Sequence, residues 1–270
     1  MLYRGMDKAT LDAAYNIAAA AGPERRDRVI ADWTARSAAL AEKAGVRRDL
    51  RYGEGPRSRL DFYPCGRTDA PTLVFVHGGY WQFSDKESYG FLAEGCLAHG
   101  INVAIPEYTL APAIGIDGIV AEIRRALDWL RVELAPRFVV AGHSAGGHLA
   151  AMTMGEAGVI GVVPVSGLFD LEPIRLSYLN DKLGMDADAA RRNSPLHHIP
   201  AAAPPAVIAW GASELPELRR QSGAYCDALQ AAGREVRRLV LDGRDHYGVL
   251  EELASPDGKL TAAVRGLASR

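Results

Sequence analysis

Residues 141–150, AGHSAGGHLA, place Gly142, His143, Ser144, Ala145 and Gly146 in the pattern G-x-S-x-G. An apolar run enters this stretch and an alanine-rich run leaves it. That strand–turn–helix setting presents a serine on a sharp turn as a nucleophile. The small residues fit the purpose, because β-carbons beside a strained serine would collide. A glycine-rich turn with an incidental serine is the alternative reading. A serine hydroxyl attacks poorly until a base takes its proton. In chains built around such an elbow, an acid and then a histidine follow the serine. The seven histidines are His77, His99, His143, His148, His197, His198 and His246, and only His246, in DGRDHYG, follows the last predicted strand. The acid is expected after the strand AVIAW, where GASELPEL offers Glu214. Glu217 competes, but a place in the first turn of the next helix already explains an acidic side chain there. Asp170 is a third candidate.

Acyl transfer puts negative charge on a carbonyl oxygen, and preorganised N–H donors stabilise it. One donor is expected from Ala145, directly after the serine. The others are expected from a loop after an early strand. HGGYW, residues 77–81, stands there, about 65 residues before the elbow. Gly79 and Tyr80 are the expected donors, with Gly78 giving the turn its freedom. A plain strand-to-helix turn could also use paired glycines. Trp81, Phe83, Tyr178 and Tyr247 are candidates for the walls of a substrate pocket, with simple packing as the alternative for each. His143 and His148, which flank the serine, read as hydrogen-bonded structural residues.

Positioning these groups requires a sheet. Strand-like runs at 72–76, 101–105, 138–141, 159–165, 206–210 and 236–241 alternate with helix-like runs near 86–98, 117–134, 145–155, 215–232 and 257–268. Continuous apolar strands between helices predict an α/β fold with a mainly parallel central sheet covered on both faces. Two helices, 7–20 and 23–44, come first within an N-terminal segment 1–45, split by Gly22-Pro23. In the second, Val29, Ile30, Trp33, Ser37 and Leu40 recur at helical spacing. Two short strands near 47–52 and 58–63 follow, with GEGP turning between them. The interval 166–204, rich in proline and charge, reads as a small cap or lid insertion in a single domain spanning 1–270.

The composition narrows the class further. A chain of 270 residues with 48% hydrophobic and 24% charged residues buries a full core. A net charge of −2 without basic clusters gives no case for nucleic acid or an acidic membrane surface. Cys65, Cys96 and Cys226 are odd in number and far apart, which suits reduced thiols and a cytoplasmic protein. The first residues lack the apolar core of a signal peptide, and no apolar run spans a bilayer. No HExxH, CxxC pair or Walker pattern occurs, so neither cofactor nor metal is expected. The expected partner is a small-molecule substrate, with neither nucleic acid nor membrane, and a homodimer is compatible with the sequence.

Taken together, these segments resemble the kynurenine formamidases (arylformamidases) of the α/β-hydrolase superfamily. The resemblance rests on HGGYW at 77–81, GHSAGGHLA at 142–150, ELPELRRQS at 214–222 and DHYGVLEEL at 245–253. It extends to the N-terminal YRGMDKATLDAAYN, and YTLAP at 108–112 is similar to the related hormone-sensitive-lipase-like esterases. Tyr80-Trp81 in place of a third glycine favours the formamidase branch. The resemblance implies hydrolysis of N-formyl-L-kynurenine to kynurenine and formate through Ser144, Glu214 and His246. The competing readings are a carboxylesterase for small or aryl esters and a non-catalytic binding protein of the same fold.

Overall fold

A computed structural model describes all residues, Met1 to Arg270. Its centre is an eight-stranded sheet of β1 (Arg47–Arg51), β2 (Arg59–Tyr63), β3 (Thr72–Val76), β4 (Asn102–Pro106), β5 (Phe138–His143), β6 (Val159–Val165), β7 (Ala206–Gly211) and β8 (Val236–Leu241). The spatial order is β1-β2-β4-β3-β5-β6-β7-β8. β2 runs antiparallel to both β1 and β4, and every other pair is parallel. The antiparallel end strand β1, RRDLR, is largely exposed and strongly charged, which discourages pairing with another chain at that edge.

The helices are α1 (Lys8–Ala14), α2 (Ile17–Ala21), α3 (Pro23–Lys43), α4 (Ala93–Leu97), α5 (Ile116–Glu133) and α6 (Ala145–Met152). After them come α7 (Glu172–Leu176), α8 (Asn180–Leu183), α9 (Ala187–Arg192), α10 (Pro216–Ala231), α11 (Glu251–Ala254) and α12 (Lys259–Ala268). Alternate residues of β3 show how the layers form. Val74 and Val76 join the core shared with α5, α6 and α10, whereas Leu73 and Phe75 join the one shared with α3, α4, α11 and α12. Period-two alternation therefore gives a strand that is apolar on both faces.

Several boundaries differ from the sequence expectation. The predicted helix 7–20 is two helices, because the Asn16 side chain accepts from the Ala19 N–H and starts α2 afresh. The predicted helix 86–98 is a 3₁₀ segment, Lys86–Leu92, followed by α4. Gly90 lies in that 3₁₀ turn, where a β-carbon would meet the Tyr63 hydroxyl at 2.2 Å. Its smallness lets the segment press against β2. The interval 166–204 holds α7, α8, α9 and a 3₁₀ turn at Pro195–His197. No helix is long and apolar enough to cross a membrane.

The chain order fixes where a site can form. From β3 the chain crosses to β4 on one side, and β5 returns to the other side of β3. Such a reversal leaves a crevice beyond the carboxyl ends of the two neighbouring strands. Val76 pairs with Gly142 at the ends of β3 and β5, so the loops that follow them lie side by side.

Candidate active site

Ser144 follows the last residue of β5 and caps α6. Its backbone sits at φ 56° and ψ −118°, a conformation that costs a non-glycine residue energy and persists only when its surroundings enforce it. Those surroundings are close. A β-carbon on Gly142 would stand 2.1 Å from Gly146 O, and one on Gly146 would stand 2.0 Å from Val76 O. The Ser144 N–H donates to Val165 O at 2.9 Å, tying the turn to β6. The motif glycines thus let β3, β5 and α6 meet at backbone distance.

His246 lies five residues beyond β8, and Glu214 three residues beyond β7. Their side chains converge, with His246 Nδ1 donating to Glu214 Oε2 at 2.8 Å. The other carboxylate oxygen accepts from Ser166 Oγ at 2.5 Å and from the Gly211 N–H at 2.7 Å. Both residues are buried, so the Glu214 carboxylate is held by three hydrogen bonds away from water. Ser144, His143 and His246 line one cavity together with Gly79 and Tyr80. Ser144 Oγ has no hydrogen-bond partner within the protein, leaving its proton free for a base that lines the same cavity.

The two competing acids are engaged elsewhere. Glu217 accepts from Tyr15 at 3.2 Å and pairs with Arg220 at 2.8 Å. Asp170 accepts from the Tyr3 hydroxyl at 2.7 Å. Glu214→Ala is therefore expected to lower kcat by about 10³-fold or more, whereas Glu217→Ala leaves it within about threefold. Steady-state kinetics on the two purified variants decides, and a larger loss from Glu217→Ala would overturn the assignment.

The loop after β3 is held by ties on every side. Gly78 and Gly79 divide the work differently from the expectation. Gly79 carries the unusual backbone, φ +106°, and Gly78 instead permits close approach, since a β-carbon there would sit 2.9 Å from His143 O. Tyr80 and Trp81 both adopt positive φ, 48° and 59°. The Gln82 and Phe83 N–H groups donate back to Gly79 O at 2.9 and 3.2 Å. The Gly79 and Tyr80 N–H groups donate to no protein acceptor. The Tyr80 side chain lines the cavity and its hydroxyl donates to Tyr15 O at 2.6 Å. Burial pushes that phenol well above its usual range, so it stays protonated and keeps donating.

Beneath the loop is a buried network that no local motif announces. His77 Nε2 donates to Glu107 Oε1 at 2.9 Å, and His77 Nδ1 lies 2.8 Å from Gly78 O. Tyr108 stacks on the His77 ring at 4.3 Å and donates to His77 O. Arg57 donates to Glu107 and to Ser84 O, linking both ends of the loop. Burial opposes the charge on Glu107, but its contacts with His77, Arg57 and the Lys86 N–H outweigh that and hold its pKa below the usual carboxylate range.

Three aromatics stand where a pocket wall was expected, namely Phe83, Tyr178 and Tyr247. Trp81 does not. It is completely buried under the loop, and its indole N–H donates to His148 Nδ1 at 3.3 Å. The positive φ at Trp81 directs the indole inward, so it props the loop from below. His148 also contacts Asn193 O at 2.7 Å, as a structural histidine should. Burial lowers its pKa to about 4. His143 departs from the expectation, because neither ring nitrogen has a partner although the ring is buried. It packs 4.4 Å from the His246 ring, and burial together with that neighbour holds its pKa well below the usual imidazole value.

The cavity measures about 300 Å³ and its roof comes from residues absent from the sequence reading of the site. Ile17, Ala18, Arg26, Ile30 and Trp33 arrive from α2 and α3, and Leu179 and Lys182 from the 166–204 interval. Gln82 ties loop to roof through its side-chain amide, which donates to Leu179 O at 2.9 Å. A serine, an imidazole and a buried carboxylate beside free N–H donors can carry out acyl transfer to water.

A family model described as BD-FAE matches residues 60–160. The chain is 32% identical to kynurenine formamidase of Danio rerio, with 96% of each protein aligned. Identity to kynurenine formamidase of Salmo salar is 33%, over 87% of this chain and 89% of the relative. A solved chain from Silicibacter sp. TM1040, provisionally described as a thioesterase, superposes with a TM-score of 0.88 at 33% identity, covering 94% of this chain and 98% of its own. With its mainly parallel sheet and this extent of likeness, the chain is a hydrolase of the α/β-hydrolase fold and belongs to the kynurenine formamidase family.

Proposed function

We propose that this protein hydrolyses N-formyl-L-kynurenine to L-kynurenine and formate. The observation that carries the reading is the Glu214–His246 pair, 2.8 Å apart beside Ser144, in a chain so similar along its length to kynurenine formamidases. Ser144 Oγ attacks the formyl carbon while His246 Nε2 takes its proton. The resulting oxyanion accepts hydrogen bonds from the N–H groups of Gly79, Tyr80 and Ala145. Collapse breaks the C–N bond, and His246 returns the proton to the departing arylamine. Water then attacks the formyl ester with His246 as base, releasing formate and restoring Ser144. Glu214 keeps the imidazole in the tautomer that leaves Nε2 free to accept. The 166–204 interval acts as a cap over the leaving group, with Tyr178 and Tyr247 beside the aromatic ring. Three unpaired cysteines suit a reducing, cytoplasmic setting.

The solved relative described as a thioesterase makes ester or thioester hydrolysis the second reading, since the same constellation cleaves each with a different pocket. Catalytic efficiency on N-formylkynurenine is measured against short p-nitrophenyl esters. The formamide should be preferred by at least about tenfold, which corresponds to roughly 1.4 kcal/mol of differential transition-state binding. A preference for the esters would overturn the formamidase reading.

A further inference from the structure

The charge around the cavity is one-sided. Apart from imidazoles, its only ionisable side chains of full charge are Arg26 and Lys182, and no carboxylate lines it. The two cations come from different parts of the chain, Arg26 from α3 and Lys182 from α8. Exposure gives the cavity a direction. Ser144 and His246 are 4% and 7% exposed at its floor, whereas the Arg26 side chain is 38% exposed and Lys182 is open to solvent. Both cations therefore stand at the mouth.

Neither is consumed by the fold. Lys182 makes no ion pair and no hydrogen bond, although an ammonium held at a cavity mouth carries three donors. Arg26 gives its Nε and Nη2 to Asp27 Oδ1, at 2.8 and 2.6 Å, and keeps Nη1. Asp27 is itself 64% exposed, so the Arg26–Asp27 pair is open to solvent and weak, and Nη1 stays available. Elsewhere the α2–α3 roof is apolar, with Ile17, Ile30 and Trp33 lining the same cavity as Phe83. An apolar channel ending in two cations fits a ligand with an aromatic body and an anionic tail.

We propose that Arg26 and Lys182 form a carboxylate-recognising subsite at the cavity mouth, which receives an anionic group carried on the leaving-group half of the substrate. This rests on the reading of Ser144, Glu214 and His246 as an acyl-transfer site, which fixes the reacting end at the floor. The subsite recognises the carboxylate alone. An ammonium on the same carbon is left to solvent, because no acidic side chain lines the cavity to receive it.

The test uses two matched sets, aryl formamides and aryl acetates, each offered with a propanoate tail, with the same tail as a neutral carboxamide, and with an α-amino group added to the propanoate. The carboxylate member of whichever set is hydrolysed should show KM about tenfold below its carboxamide, with the gap narrowing as salt rises from low to half-molar concentration. The added amino group should bring no further gain. Lys182→Gln and Arg26→Gln should each shrink the ratio, their combination should bring it to about 1, and Lys182→Glu should invert it. Turnover of the acetates alone would count against formamide hydrolysis while still reading out the subsite. If neither set is hydrolysed, calorimetric binding of the deacylated aryl propanoate and its carboxamide to the unmodified protein gives the same ratio. Equal values for carboxylate and carboxamide, or a preference that survives the double substitution, would overturn the proposal.

Discussion

Ser144→Ala is expected to reduce hydrolysis by about 10⁶-fold while leaving the fold intact. The loss follows from the role proposed for Ser144, which lines one cavity with His246, as the group that forms the acyl intermediate. The fold is spared because Ser144 Oγ makes no hydrogen bond within the protein, and alanine keeps the same backbone at φ 56°. The unfolding free energy should change by no more than about 0.5 kcal/mol. Intact-protein mass spectrometry after a fluorophosphonate probe separates the possibilities: the parent protein gains one adduct and the variant none. An adduct retained by the variant, or more than about 1% residual activity, would place the nucleophile elsewhere.

Gly79→Ala should have the next largest effect, and through the backbone alone. At φ +106° a β-carbon is strained whatever the space around it, and here it would also meet Phe83 O at 2.1 Å. Phe83 O cannot yield alone, because Gln82 and Phe83 both donate to Gly79 O and Arg57 holds Ser84 O. The whole 79–84 turn must open, carrying the Gly79 and Tyr80 N–H groups out of line. Activity should fall by about 10³-fold, mainly in kcat, because in the proposed mechanism these donors act on charge that exists only in the transition state. Stability should fall by about 2–4 kcal/mol. Gly223→Ala supplies the contrast: in α10 nothing lies within 4 Å of its β-carbon, so helix propensity should make it neutral or stabilising by up to about 1 kcal/mol. A KM-only effect from Gly79→Ala would sink the idea that its amide serves the transition state.

What could be read from residues alone was what is local. Ser144 between Gly142 and Gly146 announces itself because the close approach of three backbones leaves no other residue type at those places. Apolar runs of four to seven residues were enough to find the parallel strands. Glu214 could be preferred over Glu217 because strand and helix ends were legible within two residues. The structure adds partners far along the chain. Ser166 reaches Glu214 across 48 residues and His77 reaches Glu107 across 30, and a buried polar side chain carries no mark of which distant group satisfies it. Helical spacing revealed that Ile30 and Trp33 share a face of α3, but not that the face overhangs the cavity. Trp81 was misplaced for a similar reason. Its type suggested a wall, and only the backbone turn at φ 59° decides that it points inward.

The roof built from α2 and α3 has a bearing on how the molecule comes into being. Its anchors join the earliest residues to late ones: Tyr3 bonds Asp170 and Tyr15 bonds Glu217, across 167 and 202 positions. During synthesis these first residues emerge long before their partners do. Closing so wide a loop costs entropy that must be met before its contacts return anything. α3 itself rests on the nearby 86–92 segment, where the Phe91 N–H donates to Ser37 Oγ and Trp33 stacks on Phe91, so only the α1–α2 end of the roof waits for these distant partners. The end of the roof that carries Ile17 and Ala18 therefore gains its last tie only after Glu217 has left the ribosome.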